Sequence, residues 1–123
     1  MRIQSGATGN TIKNNIFDAS SYAIYDSTGN ITENFNVCNS AGADIVVWNG
    51  TAYSSISTYR IASGQGDSSI WADPEFTDAA NSDFSLKSTS PAIDSGIDLG
   101  ITTDYFGNLR PWGDTYEIGA IEF

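Results

Sequence analysis

Gly9-Asn10-Thr11-Ile12-Lys13-Asn14-Asn15-Ile16-Phe17 is answered further on by Asn30-Ile31-Thr32-Glu33-Asn34-Phe35-Asn36-Val37. Between them lies Ala23-Ile24-Tyr25-Asp26-Ser27-Thr28-Gly29. Ile12 and Ile31 are separated by the same interval as Asn15 and Asn34, and as Ile16 and Phe35. Short apolar patches alternate with Gly, Asn and Ser corners, and no helical period runs through them. Corners of this kind need residues that tolerate left-handed backbone or hydrogen-bond their own main chain, as Gly, Asn and Asp do. A repeat of roughly 20 residues with such corners predicts stacked turns of chain. Ile12 and Ile31 are expected to share one interior, and the short strands fit the coils of a parallel β-helix.

The rest of the composition agrees with β structure. The 123 residues include 12 Gly, 10 Asn, 11 Asp, 16 Ser and 11 Thr, and helix-favouring runs are scarce. The length is that of one domain. Acids outnumber bases 15 to 5, so the net charge is −10. That sign opposes phosphate backbones and anionic lipid, which argues against nucleic-acid and membrane partners. No apolar run approaches the ~20 residues of a membrane span. The chain has no His, which excludes a Ser-His-Asp triad and His-ligated metals. One cysteine, Cys38, makes no intrachain disulfide. Residues 67–123 hold eleven acids and two bases, whereas residues 1–66 hold four and three.

Past the repeat, Asp44-Ile45-Val46-Val47-Trp48 reads as a strand closed by the turn pair Asn49-Gly50. One short helix is predicted near 55–63, with Ser54 or Ser55 as N-cap and Gly64 closing it. Ile56, Tyr59 and Ile61 would turn inward. From Ile70 onward short apolar pieces alternate with acidic turns. Trp71, Phe76, Phe84, Leu86, Ile93, Ile97, Leu99, Ile101, Phe106, Ile118 and Ile121 are the expected inward residues.

Five ordered motifs in this second half carry a family resemblance. They are Trp71-Ala72-Asp73-Pro74-Glu75-Phe76, Asp83-Phe84-Ser85-Leu86, Ser90-Pro91-Ala92-Ile93-Asp94-Ser95-Gly96, Thr103 to Pro111, and Glu117 to Phe123. In that order they resemble the C-terminal region of bacterial right-handed parallel β-helix proteins of the pectate-lyase-like superfamily. The resemblance implies a mainly β fold. About two coils in 1–48 lead to an insertion with the short helix in 49–69, then an irregular β-rich C-terminal cap in 70–123. It implies a carbohydrate-associated module, polysaccharide-binding or structural, secreted or at the cell surface as part of a longer protein, since Met1-Arg2-Ile3-Gln4 does not open a signal peptide. Phe106 stands where the family pattern carries a second carboxylate. A stack this short predicts a homo-oligomer through the open N-terminal end of the helix.

Three sets of residues are candidates for chemistry. Asp94, Asp98, Asp104, Asn108 and Asp114 follow one another closely among glycine turns, the kind of oxygen-rich loop that holds Ca²⁺, although filling turns and caps is the commoner role of such residues. Asp18, Asp26, Glu33 and Asp44 could supply the paired carboxylates of a glycoside hydrolase, or Lys13 the base of a polysaccharide lyase. Trp48, Tyr53, Tyr59 and Trp112 could stack on sugar rings, or could seal the core. An enzyme and a purely structural cap are the alternatives to a binding module.

Overall fold

The computed structural model describes residues 1–4 and 6–123, and is mainly β with one α-helix. The strands are β1 (Arg2–Ile3), β2 (Asn10–Lys13), β3 (Ile16–Ala19), β4 (Ile24–Asp26), β5 (Ile31–Asn34), β6 (Val37–Ser40), β7 (Val46–Trp48) and β8 (Thr51–Tyr53). After the helix α1 (Ile56–Ser63) come β9 (Ile70–Trp71), β10 (Phe76–Asp78) and β11 (Asp83–Leu86). β2, β3 and β4 make one pass of chain, and β5, β6 and β7 make the next. Each strand pairs in parallel with its counterpart one pass later: β2 with β5, β3 with β6, β4 with β7. β1 joins β4 and β9 joins β6 in the same sense, giving three small sheets. Among the described residues, β1, β2 and β3 carry no strand on their outer edges.

The register corrects the sequence reading. Ile12 faces Glu33 rather than Ile31, and Ile31 faces Asn10, so β2 and β5 are offset by two more than the interval between the isoleucines. Both isoleucines nonetheless lie in one buried cluster with Ile3, Ile24, Cys38 and Val46. A slip of two preserves the alternation of inward and outward side chains, so the apolar pattern accepts either register. The corner decides between them. Asn14 and Phe35 both take φ 55° and stack, with Asn14 N–H donating to the Phe35 carbonyl at 2.8 Å. Next to them Asn15 N–H donates to Asn36 Oδ1 at 3.0 Å, and Asn36 N–H to Ser69 Oγ at 3.2 Å.

Asn36 is fully buried and its amide nitrogen donates to the Ile12 carbonyl at 2.9 Å and to Glu33 Oε2 at 3.0 Å. Ser69 Oγ donates to the same Glu33 oxygen at 2.7 Å. Glu33 is thereby buried inside the stack with its carboxylate hydrogen-bonded. Gly66 (φ +71°) lies against it, where an added Cβ would collide with Glu33 Oε1.

α1 closes one end of this interior. Tyr59 is completely buried, stacked on Trp71 at 5.6 Å and edge-on to Tyr53 at 5.7 Å. Ile56, one turn earlier, is half-buried on the same face. Ile61, expected inside, is 86% exposed, because two residues along a helix turn it about 200° from Tyr59. Gly64 ends the helix with left-handed φ 65°, as its position suggested.

Gln65 completes that end. Among the described residues no strand follows β5 in its sheet. Instead the Gln65 amide accepts from Glu33 N–H at 3.0 Å and donates to the Ile31 carbonyl at 3.0 Å, standing in for a strand. Gln65→Ala is expected to lower stability by about 1–2 kcal/mol. It should read as a lower urea midpoint at unchanged slope. A midpoint equal to wild type would mean that water satisfies that edge.

The apolar doublets Ile16-Phe17, Val37-Cys38 and Ile70-Trp71 are in register across β3, β6 and β9. Phe17, Cys38 and Trp71 join the interior cluster, while Ile16, Val37 and Ile70 pack on the other side against Leu86, Ala92 and Ile118. A sheet buried on both faces needs such doublets. Phe76, Leu86, Ala92, Ile93 and Ile118 therefore pack along the flank of the stack, while α1 and Gln65 close the end after β5.

Candidate functional site

The flanking unit is built from the hairpin β10–β11 and a run of turns. Asn14, in the corner of the first pass, ties it down. Its amide donates to the Ile97 carbonyl at 2.7 Å, its Oδ1 accepts Ile97 N–H at 3.1 Å, and its own carbonyl accepts Gly119 N–H at 3.1 Å. Gly96 passes so close to the last segment that an added Cβ would meet the Glu117 carbonyl at 2.6 Å. Between the unit and the first pass runs an open cleft of about 1060 Å³.

Four residues expected inside stand exposed on this cleft: Phe84 at 50%, Leu99 at 45%, Ile101 at 54% and Phe106 at 66%. Tyr105 joins them, its ring 5.2 Å from that of Phe106. Among the other expected inward residues, Leu86 and Ile118 are buried, and Trp71, Phe76, Ile93, Ile97 and Ile121 are half-buried. Polar side chains of Lys13, Asn15, Asp18 and Asp83 share the cleft with the rings.

The candidate catalytic residues do not converge. Asp18 is exposed on the cleft, with Asn39 Nδ2 donating to it at 3.0 Å, and Lys13 also lines it. Asp26 is wholly buried. Burial opposes its charge, but the Thr28 hydroxyl and the N–H groups of Thr28 and Ile31 outweigh that and hold its carboxyl below the usual range. Glu33 belongs to the interior described above. Asp44 is half-buried at the approach to β7.

The four aromatic candidates also part company. Tyr59 is corrected to a core residue, and Tyr53 packs against it. Trp48 is half-buried, its Nε1 enclosed without a partner. Trp112 is 68% exposed but does not line the cleft. The thiol of Cys38 is buried and pushed upward by that burial and then by Glu33, so it is no nucleophile at neutral pH.

The oxygen-rich loop serves its own turns. Asp104 commits its carboxylate to the N–H groups of Phe106 and Asn108 at 2.9 and 2.8 Å and to Asn108 Nδ2 at 3.0 Å. Burial opposes its charge, yet these bonds hold its carboxyl low. Asp94 accepts Thr115 N–H, Asp98 accepts Gly100 N–H, and Asp114 is exposed. These are turn and loop contacts, and among the described residues no three such side chains are grouped to hold a cation.

A cluster that the sequence reading passed over lies beside the cleft. Arg110 and Glu122 form an ion pair with both side chains buried. Glu117 is buried next to them, and its Oε2 has no partner. Burial, then a hydrogen bond to Glu122 and that group's charge, push the Glu117 carboxyl up to about 8. Glu122 goes the other way: burial would raise it, but Glu117, Trp112 N–H and Arg110 together hold it down. The one sequence signal was two glutamates interleaved with Ile118 and Ile121, acids in a segment otherwise apolar.

Fold and cleft define a mainly β domain of parallel-paired passes with a flanking open site. No family model matches the chain, and no solved structure matches it. It is similar to the Uncharacterized protein YwoF of Bacillus subtilis (strain 168), with 39% identity over 98 residues, covering 73% of this chain and 21% of that protein. The chain thus spans about a fifth of the length of the curated relative it matches. No helix among the described residues is long and apolar enough to cross a membrane.

Proposed function

We propose that the chain is a short right-handed parallel β-helix module, of the pectate-lyase-like kind, that binds polysaccharide in its flanking cleft without cleaving it. Parallel pairing of three successive strands at a near-constant offset supports the architecture. The observation that carries the function is the meeting of exposed Phe84, Tyr105 and Phe106 with Lys13, Asn15, Asp18 and Asp83 on one open surface. Flat rings match the apolar faces of pyranoses, and the polar groups match their hydroxyls. Placement outside the cell within a longer protein, and association of copies through the outer edges of β1, β2 and β3, belong to the same reading. Of the candidate catalytic residues only Asp18 and Lys13 reach the cleft, so the four candidate carboxylates do not meet there as a hydrolase would need.

Affinity electrophoresis in gels containing β-glucan, xylan or polygalacturonate tests the proposal. At least one polymer is expected to retard the protein. The triple variant Phe84→Ala, Tyr105→Ala, Phe106→Ala should migrate as if no polymer were present, while Trp112→Ala, off the cleft, keeps the retardation. Free migration in every gel would sink the binding reading, and release of reducing ends or of an unsaturated product would replace it with the enzymatic one.

A further inference from the structure

The C-terminal segment from Asp104 onward is folded back on itself by buried charge. Arg110 donates through Nε to Glu122 Oε1, through Nη2 to the Glu117 carbonyl at 2.9 Å and through Nη1 to the Gly119 carbonyl at 3.2 Å. The second Glu122 oxygen accepts Trp112 N–H at 2.7 Å. Two more bonds run alongside: Glu122 N–H to Asp104 Oδ2 at 3.3 Å and Tyr105 N–H to the Ala120 carbonyl at 2.7 Å. Asp104, Tyr105, Phe106 and Arg110 on one arm, and Ile118 to Ile121 on the other, all line the cleft. The cluster therefore holds one wall of the site in shape.

Its charge count is unbalanced. One guanidinium faces two carboxyl groups, and Glu117 is only 1% exposed. With one proton the cluster is neutral; without it a net negative charge is shut away from water. Among the described residues no second cation pairs with these carboxyl groups. On the 94–104 segment the neighbours are Asp94, which accepts Thr115 N–H, Asp98 beside the Tyr116 hydroxyl, and Asp104. From the β3–β6–β9 sheet, Ile16 and Val37 pack against this unit and bring no charge. Lys13 lines the cleft, and so do Asp18 and Asp83.

We propose that Glu117, Glu122 and Arg110 form a proton-held clasp on the cleft: Arg110 pairs with Glu122, the enclosed Glu117 with its unpartnered Oε2 keeps the proton that balances the charge, and losing that proton loosens the wall. The clasp stands on its own geometry; the consequence that polymer is let go on alkalinisation rests on the polysaccharide reading. The sign is fixed by linkage. A carboxyl raised in the folded state contributes stability that is fully present below the ordinary glutamate range, and loses it as pH rises to about 8. The lowered Glu122 acts oppositely, its contribution fading in acid. The wall is thus firmest in mildly acidic solution.

Hydrogen exchange of the whole chain at pH 6, 7, 8 and 9, corrected for intrinsic rates, tests this. In wild type, corrected exchange in 104–121 should rise about tenfold per pH unit from pH 6 to about 8 and level off beyond it, with β2 to β7 unchanged. Glu117→Gln, whose amide donates to Glu122 without titrating, should be flat; Glu117→Leu serves if the glutamine variant does not fold. Retardation of wild type by whichever of the three polymers binds it at pH 6 should fade over the same range. Flat wild-type exchange, or an unchanged rise in the variants, overturns the clasp. Retardation that persists while the segment opens overturns its control of binding. No retardation at any pH sinks the polysaccharide reading instead, and exchange still decides the clasp.

Discussion

Asn36→Ala is expected to lower the melting temperature by roughly 10–20 °C, the largest effect of any single truncation in the stack. The side chain is fully buried and reaches back to Asn15 and Ile12 in the preceding pass and to Glu33 in its own. Its loss would leave Asn15 N–H and the Ile12 carbonyl without their partners, and Glu33 with one donor fewer. Each buried group so stranded costs about 1–3 kcal/mol, and a total of about 3–5 kcal/mol follows once the corner relaxes. Because the lost contacts join the two complete passes, the transition should stay single and shift as a whole. Asn36→Asp is a sharper probe. It keeps an acceptor for Asn15 but sets an oxygen against Glu33 where a donor was, so it should be worse than alanine at neutral pH and recover in acid. Calorimetry checks both. A shift under about 3 °C for Asn36→Ala would show that the corner is held by backbone alone.

Arg110→Ala should produce a different kind of damage. Removing one partner of a buried ion pair strands the other and costs about 3–5 kcal/mol. Here it leaves two buried carboxyl groups with no cation and frees the Glu117 and Gly119 carbonyls. The bonds lost all lie within 104–122, so the loss should stay local. The stack of β2 to β7 should keep its protection from exchange while 104–123 loses it, and proteases should cut first in that segment. Arg110→Lys should recover part of the effect at most, because an ammonium cannot repeat the planar fork that serves Glu122 and two carbonyls together. Wild-type protection of 117–122 in Arg110→Ala would remove the cluster from any role in holding the cleft.

Much of the fold was legible in the residues. The strands between Asn10 and Trp48 fall where short apolar patches sit between Gly, Asn and Ser corners. α1 starts and stops within a residue or two of the predicted span, since Gly64 marks its end by local backbone preference alone. The candidate site was much less legible. Tyr59 and Trp48 share the chemistry of sugar-binding rings, yet one closes the core and the other leans on it. Phe84 and Phe106 have the chemistry of core residues, yet they stand on an open cleft. Ring chemistry is the same in both settings, and only the neighbours differ. Asp104 looked like a metal ligand for the same reason that it organises a turn: a short carboxylate accepts N–H groups and cations alike.

Taken alone, the order of residues determined what depends on near neighbours: strand against helix, the places of the corners, and the concentration of negative charge after residue 66. It left the register two residues adrift, because sliding a strand by two keeps every side chain on its own face. Tertiary structure settled that choice through Asn36, whose buried amide has its partners at Asn15 and Ile12. It also decided which apolar side chains are covered, and it alone brought Arg110, Glu117 and Glu122 together. Those outcomes depend on contacts between segments far apart in the chain or on the geometry of loops with no period, and neither leaves a repeating mark in the sequence.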